Sequence, residues 1–132
     1  MASRILIVDD SPCFRATAAA LLAERGFDLL EAAADGEQAL AAAACGRPDG
    51  ILLDVNLPGL DGFAVAALLA ATCPRARIVL TSSDVSPVPA QILATPAVVA
   101  FVPKEDLAVT DLTALFSRLP RTSGRPARQA RR

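Results

Sequence analysis

The sequence alternates between short apolar runs and stretches with helical patterning, and this alternation constrains the fold more than any other feature. Continuous apolar runs of this length are typical of parallel strands that helices cover on both faces. The pattern predicts five β/α units, an α/β fold with a doubly wound parallel sheet and right-handed crossovers. The predicted strands are 5–8, 27–31, 51–53, 78–80 and 98–102, of which the second is the weakest.

The predicted helices begin and end at recognisable capping residues. Ser11-Pro12 and Asp35-Gly36 are typical helix starts, and a glycine follows the first of these helices. The fourth helix is predicted to be short or irregular, because Pro87, Pro89 and Pro96 bracket it and proline breaks a helix interior. The predicted helices are 12–25, 35–46, 62–72, 90–94 and 105–119.

Charge divides the chain into an acidic body and a basic end. Six of the 13 basic residues are arginines in the last 15 positions, which leaves 7 basic against 14 acidic residues before them. Residues 1–119 are predicted to form one domain, and residues 120–132 an arginine-rich, disordered tail. The tail could contact nucleic acid or an acidic partner, but it has no aromatic residue to stack on bases, so nucleic acid is not the expected partner.

Several function classes are excluded by residues that the chain lacks. It has no histidine, so it cannot carry Ser-His or Cys-His catalysis or a histidine-ligated metal, and its three cysteines have no CxxC spacing. No apolar run reaches the length of about 18 residues that a membrane span needs, and the N-terminus lacks a signal-peptide layout. We therefore expect a cytoplasmic protein without a membrane partner.

Chemically active side chains follow the predicted strands. Asp9 and Asp10 follow the first strand, Asp54 the third, Thr81 the fourth and Lys104, the single lysine, the fifth. Ligands of such sheets gather outside the carboxyl ends of the strands, so these side chains are predicted to form one site. Oxygen ligands of this kind suit Mg²⁺, and a carboxylate beside Mg²⁺ can attack phosphorus and form an acyl phosphate.

Four segments of the sequence resemble the receiver domain of two-component response regulators, over residues 4 to about 119. In order, these segments are Ile-Leu-Ile-Val-Asp9-Asp10, Leu-Leu-Asp54-Val-Asn-Leu-Pro-Gly-Leu-Asp-Gly62, Ile-Val-Leu-Thr81 and Phe101-Val-Pro-Lys104. The resemblance implies a flavodoxin-like sheet with the strand order 2-1-3-4-5. The whole protein is then expected to be a stand-alone receiver, because roughly 13 residues after the last helix are too few for an output domain.

The resemblance also implies an acceptor and a metal site. Asp54 would accept a phosphoryl group from a histidine of a partner kinase or histidine phosphotransfer protein. Asp10 would ligate Mg²⁺ directly, Asp9 mainly through water, and Asn56 through its backbone carbonyl, with Asp54 completing the set. Asn56 and Ser83 lie where the family tunes the access of hydrolytic water.

Three further residues are implied to respond to the phosphoryl group. Lys104 would pair with it, Thr81 would move toward it, and Phe101 would turn inward as the coupled aromatic switch. Two alternatives stay open at this point: Ser82 in place of Thr81 as the working hydroxyl, and Phe101 as a plain core residue. The downstream target and the oligomeric state, including a homodimer, are left open by the sequence.

Three other functions compete with this interpretation. A haloacid-dehalogenase-like phosphatase needs an acidic residue where Asn56 stands, and a dinucleotide-binding domain needs GxGxxG where Asp-Asp-Ser-Pro stands. The remaining alternative is a receiver-like interaction module that works without phosphorylation. The preferred interpretation is a phosphoacceptor that promotes its own phosphorylation and slow dephosphorylation, and is not a conventional enzyme.

Overall fold

Five parallel strands form one sheet in the computed structural model, which describes residues 3–59, 61–83 and 88–117. The strands are β1 (Arg4–Val8), β2 (Asp28–Leu29), β3 (Gly50–Asp54), β4 (Arg77–Ser82) and β5 (Val98–Pro103). Their spatial order is β2-β1-β3-β4-β5, which confirms the predicted fold class and strand order. The predicted second strand, 27–31, was too long, because only two of its residues pair with β1 as a strand.

In the described parts of the chain, five α-helices connect or follow the strands, and side-chain caps start most of them. Ser11, Asp35 and Asp61 each accept a hydrogen bond from a backbone N–H in the first turn of the helix that follows. The helices are α1 (Pro12–Glu24), α2 (Gly36–Gly46), α3 (Gly62–Thr72), α4 (Ala90–Leu93) and α5 (Leu112–Phe116). The short α4 agrees with the expectation from the prolines around it.

The prediction of one continuous helix over 105–119 was wrong. A 3₁₀ helix, Lys104–Val109, follows β5 directly, and α5 begins only at Leu112. Between them Thr110 has an extended backbone, and Asp111 accepts a hydrogen bond from the N–H of Ala114 at 3.0 Å. Asp111 therefore starts a new helix, because its carboxylate competes for the amide groups that a continuous helix would use.

Apolar side chains cover both faces of the sheet, which explains why the strands are continuous apolar runs. Residues that alternate along β1, β3 and β4 pack on one face with α2, α3 and α4, and the others pack on the opposite face with α1 and α5. The sheet is therefore a doubly wound one. Within the described ranges, none of the helices has the length and the apolar character needed to cross a membrane.

The strand registers bring the carboxyl ends of the four longer strands to one edge. Val8 pairs with Leu53, Asp54 with Thr81, and Ser82 with Pro103. The predicted tail 120–132 and residues 84–87, which include the first of the three prolines around α4, lie outside the described residues. The boundary at residue 119 thus stays a prediction.

Candidate functional site

Three carboxylates meet at the carboxyl edge of the sheet, in the place that the sequence predicted. One oxygen each of Asp9, Asp10 and Asp54 lies within 4.8 Å of the others. Asp9 is 0% exposed and Asp54 is 3% exposed, whereas Asp10 faces solvent. The cluster is therefore open to ligands on the side of Asp10.

Asp54 is held by one backbone group and one ammonium. The N–H of Asn56 donates a hydrogen bond to Asp54 Oδ1 at 3.0 Å, and Lys104 Nζ lies 3.4 Å from Asp54 Oδ2. Burial raises the pKa of Asp54, and the nearby charge of Asp9 raises it further, while Asn56 and Lys104 only partly oppose these effects. The charged form of Asp54 is thus costly unless a cation joins the cluster.

Lys104 lies closer to Asp9 than to Asp54. Its Nζ is 2.7 Å from Asp9 Oδ2, against 3.4 Å from Asp54 Oδ2. Burial alone would lower the pKa of Lys104, but the hydrogen bond to Asp9 and the charges of both carboxylates outweigh it and leave that pKa raised. Lys104 is therefore a charged ammonium at neutral pH.

Asp9 is fixed by contacts on both of its carboxylate oxygens. The N–H of Ser11 donates to Asp9 Oδ1 at 2.8 Å, and Oδ2 faces the Lys104 ammonium. Arg15 Nη1 also donates to the backbone carbonyl of Asp9 at 2.7 Å. Oδ2 is buried and has the Lys104 ion pair as its described partner, and the contact of Asp9 with a metal through water stays a prediction.

The two hydroxyl residues at the end of β4 have different surroundings. Thr81 is fully buried, and its Oγ1 has no hydrogen-bond partner among the described residues. Ser82 Oγ accepts a hydrogen bond of 2.6 Å from Asn56 Nδ2. Thr81, the register neighbour of Asp54, thus has the uncommitted hydroxyl, whereas the described contact of Ser82 orients Asn56.

Replacing Thr81 with valine is expected to stabilise the metal-free protein by about 1 kcal/mol. The buried hydroxyl loses its hydrogen bonds to water on folding, and valine removes that cost while it keeps the branched shape. Urea unfolding would measure the change in the free energy of unfolding. The control is Ser83→Ala, which removes an exposed hydroxyl and should change that free energy by less than about 0.5 kcal/mol. A less stable Thr81→Val protein would show that the hydroxyl has a stabilising partner in solution.

The remaining predicted residues, Ser83 and Phe101, lie near this edge in different environments. Ser83 is exposed, one residue beyond the end of β4. Phe101 is partly buried and packs against the apolar cluster under α2, α3 and α4. Their tuning and switching roles stay predictions.

Sequence reasoning missed two contacts in the site. The ring of Phe14, in the first turn of α1, lies with its centroid 4.3 Å from Lys104 Nζ. The hydrogen bond between Asn56 and Ser82 is the other. In the sequence, Phe14 is distinguished only by its place four positions after Asp10, and an aromatic residue at such a place is more often part of a core.

The donor set fits Mg²⁺ in composition and charge. All candidate ligands are oxygens, which is the ligand type that Mg²⁺ prefers. Three carboxylates lie beside two cationic groups, the Lys104 ammonium and the Arg15 guanidinium, so the cluster carries excess negative charge. A divalent cation would offset both this repulsion and the cost of the buried Asp54 charge.

The sequence comparisons give one family. Residues 5–116 match the profile of the response regulator receiver domain. A positive alginate biosynthesis regulatory protein of Pseudomonas aeruginosa is 42% identical over 108 residues, which cover 79% of this chain and 44% of the relative. A protein-glutamate methylesterase/protein-glutamine glutaminase of Archaeoglobus fulgidus is 31% identical over 119 residues, or 89% of this chain and 34% of the relative. The chain thus spans less than half the length of these relatives.

Solved structures agree with the fold. A CheY-like receiver domain from Methylobacillus flagellatus has a TM-score of 0.77 at 21% identity and covers 89% of this chain and 100% of that one. The response regulator TrrA of Thermotoga maritima, solved in complex with Mg²⁺-BeF, has a TM-score of 0.74 at 28% identity and covers 86% of this chain and 98% of that one. Because the Methylobacillus flagellatus domain is only 21% identical, its likeness to this chain shows the fold alone.

Proposed function

The chain belongs to the response regulator receiver domain family, and we propose that it takes a phosphoryl group from a partner histidine onto Asp54. Receiver domains work with histidine kinases or histidine phosphotransfer proteins. The missing histidine agrees with this proposal, because the donor imidazole has to come from another protein.

The surroundings of the Asp54 carboxylate are the observation that carries the proposal. A buried carboxylate, Asp54, lies beside two further carboxylates and 3.4 Å from the lone lysine of the chain. A carboxylate nucleophile needs positive charge nearby when a phosphoryl group arrives, because the carboxylate and the phosphoryl group are both anionic. Lys104 supplies one such charge, and the oxygen cluster is suited to bind another.

The proposed transfer forms one bond and breaks one. A carboxylate oxygen of Asp54 bonds to phosphorus, and the P–N bond to the donor imidazole breaks with its electron pair staying on nitrogen. The product is an acyl phosphate on Asp54 and a free histidine on the partner. Lys104 would contact the new phosphoryl oxygens, and the Thr81 hydroxyl would donate a hydrogen bond to one of them.

Mg²⁺ would be held by Asp10, Asp54 and the backbone carbonyl of Asn56, with Asp9 acting mainly through water. When bound, it would neutralise charge on the transferring phosphoryl group. The hydrogen bond from Asn56 to Ser82 fixes the Asn56 side chain next to the acceptor, where it and Ser83 would limit hydrolytic water. Phe101 would respond to the movement of Thr81 and so alter partner binding.

We expect a small acyl phosphate and Mg²⁺ to add one phosphoryl group to the protein. Intact-mass spectrometry would detect the adduct, and hydroxylamine would remove it, since hydroxylamine cleaves an acyl phosphate and leaves a serine or threonine ester. Chelation of the metal with EDTA should reduce the label to background.

Lack of an adduct in the presence of Mg²⁺, or an adduct that resists hydroxylamine, would overturn the proposal. The first result would favour an interaction module that works without phosphorylation. A pull-down with beryllofluoride-treated and untreated protein would then recover the same partners from both.

A further inference from the structure

The described residues give the ammonium of Lys104 three close neighbours, and one of them is uncharged. Asp9 Oδ2 lies 2.7 Å from Nζ and Asp54 Oδ2 lies 3.4 Å from it. The centroid of the Phe14 ring lies 4.3 Å from the same nitrogen. This distance is well within the range of about 6 Å at which the negative face of an aromatic ring attracts a cation.

An aromatic ring suits this position because of the charge balance of the site. Three carboxylates cluster beside the Lys104 ammonium and the Arg15 guanidinium, and a phosphoryl group would add further negative charge. A fourth carboxylate beside Lys104 would hold the ammonium but would also repel the phosphoryl group. The Phe14 ring attracts the ammonium without adding net charge.

The backbone and the ring of Phe14 are both held in place. Its N–H donates to Ser11 Oγ at 3.2 Å, in the cap that starts α1. Its ring is partly buried against the apolar cluster between the sheet, α1 and α5. Arg15, the next residue, bonds the backbone carbonyl of Asp9 at 2.7 Å, so the first turn of α1 is tied to the loop that carries the carboxylates.

We propose that Phe14 is a positioning residue for Lys104, which holds the ammonium beside Asp9 and Asp54 before the phosphoryl group arrives. The inference rests on the proposed function and deepens it, since Phe14 acts on the phosphoryl group only through Lys104. Without the ring, the flexible four-carbon stem lets the ammonium turn toward solvent.

Titration with beryllofluoride in the presence of Mg²⁺ would test this role, with calorimetry as the measurement. Phe14→Leu keeps apolar volume but removes the π face, and the affinity of this variant for beryllofluoride is expected to fall about threefold to tenfold. Phe14→Tyr keeps the face and should bind within about twofold of the unmodified protein.

Phe27→Leu is the matched control. Phe27 packs against the same apolar cluster, where its ring meets Phe116 at a centroid distance of 5.7 Å, and the described contacts of the ring include no ammonium. Phe27→Leu and Phe14→Leu should both lower the melting temperature, but Phe27→Leu should leave the beryllofluoride affinity within about twofold.

A second measurement needs no ligand. In the metal-free protein, the ring current of Phe14 should shift the NMR signals of the Lys104 ε-methylene protons upfield. The shift should persist in Phe14→Tyr and Phe27→Leu and disappear in Phe14→Leu. This upfield shift reports the contact between Phe14 and Lys104 itself, and a change in stability alone would not alter it.

The outcomes separate the two proposals. If the unmodified protein binds beryllofluoride and Phe14→Leu binds it equally well, the role of Phe14 is overturned. If Phe14→Tyr binds beryllofluoride as weakly as Phe14→Leu, an aromatic face at this position does not preserve the affinity, which also overturns the role of Phe14. If the unmodified protein neither binds beryllofluoride nor accepts a phosphoryl group, the proposed function itself fails.

Discussion

Replacing Asp54 with asparagine is expected to abolish the phosphoryl label while the fold is retained. Asparagine has nearly the same shape, but its amide oxygen is not a nucleophile that can form an acyl phosphate. Asp54 Oδ1 accepts the N–H of Asn56, and an amide oxygen can accept the same hydrogen bond. The loss should therefore be complete in intact-mass spectra and local in its effect on structure.

Asp61→Asn is the matched control for this experiment. Asp61 is exposed and caps α3 through a hydrogen bond of 3.1 Å from the N–H of Phe63. Asparagine caps helices about as well as aspartate, so neither stability nor labelling should change. A label that persists in Asp54→Asn, or that maps to another peptide, would contradict the assignment of Asp54.

The Asp54→Asn variant is also expected to change the stability of the protein, in a direction that the raised pKa of Asp54 determines. Because the pKa of Asp54 is raised in the folded protein, the folded state holds its proton more tightly, and stability falls as the pH rises from the unfolded pKa through the folded one. Asparagine does not titrate. At neutral pH without metal, Asp54→Asn should melt at or above the temperature of the unmodified protein, and the difference should shrink in acid.

The positions of the main site residues could be predicted from the sequence for a physical reason. Asp9, Asp54 and Thr81 each stand where an apolar strand ends, and parallel strands bring such ends to one edge. The four family segments fixed the strand order, which the apolar pattern alone could not give. The cluster thus followed from strand ends, without knowledge of any side-chain contact.

The contacts inside the site could not be predicted in this way. Phe14 and Lys104 lie on separate elements that pack together only in the folded chain, and no local pattern encodes their distance. The break before α5 was missed for another reason: an apolar pattern of helical period continues across it. There the capping hydrogen bond of Asp111 overrides the helical pattern.

Replacing Gly62 with alanine is expected to destabilise the protein by about 3 kcal/mol or more. A Cβ atom at Gly62 would lie well under 3.0 Å from three backbone atoms of Val55. Backbone atoms cannot rotate away as a flexible side chain can, so the start of α3 or the loop after β3 has to move. Urea unfolding monitored by circular dichroism would measure the loss.

Gly59→Ala in the same loop separates this steric cost from backbone strain. Gly59 has a φ of +82°, but among the described residues, its chain neighbours aside, no atom lies within 4 Å of a Cβ there, so only the cost of a left-handed residue applies, roughly 1 kcal/mol. A loss at Gly62 no larger than that at Gly59 would contradict the argument. Since Val55 precedes the residue whose N–H holds Asp54, displacement of Val55 in Gly62→Ala should also slow labelling of the protein that remains folded.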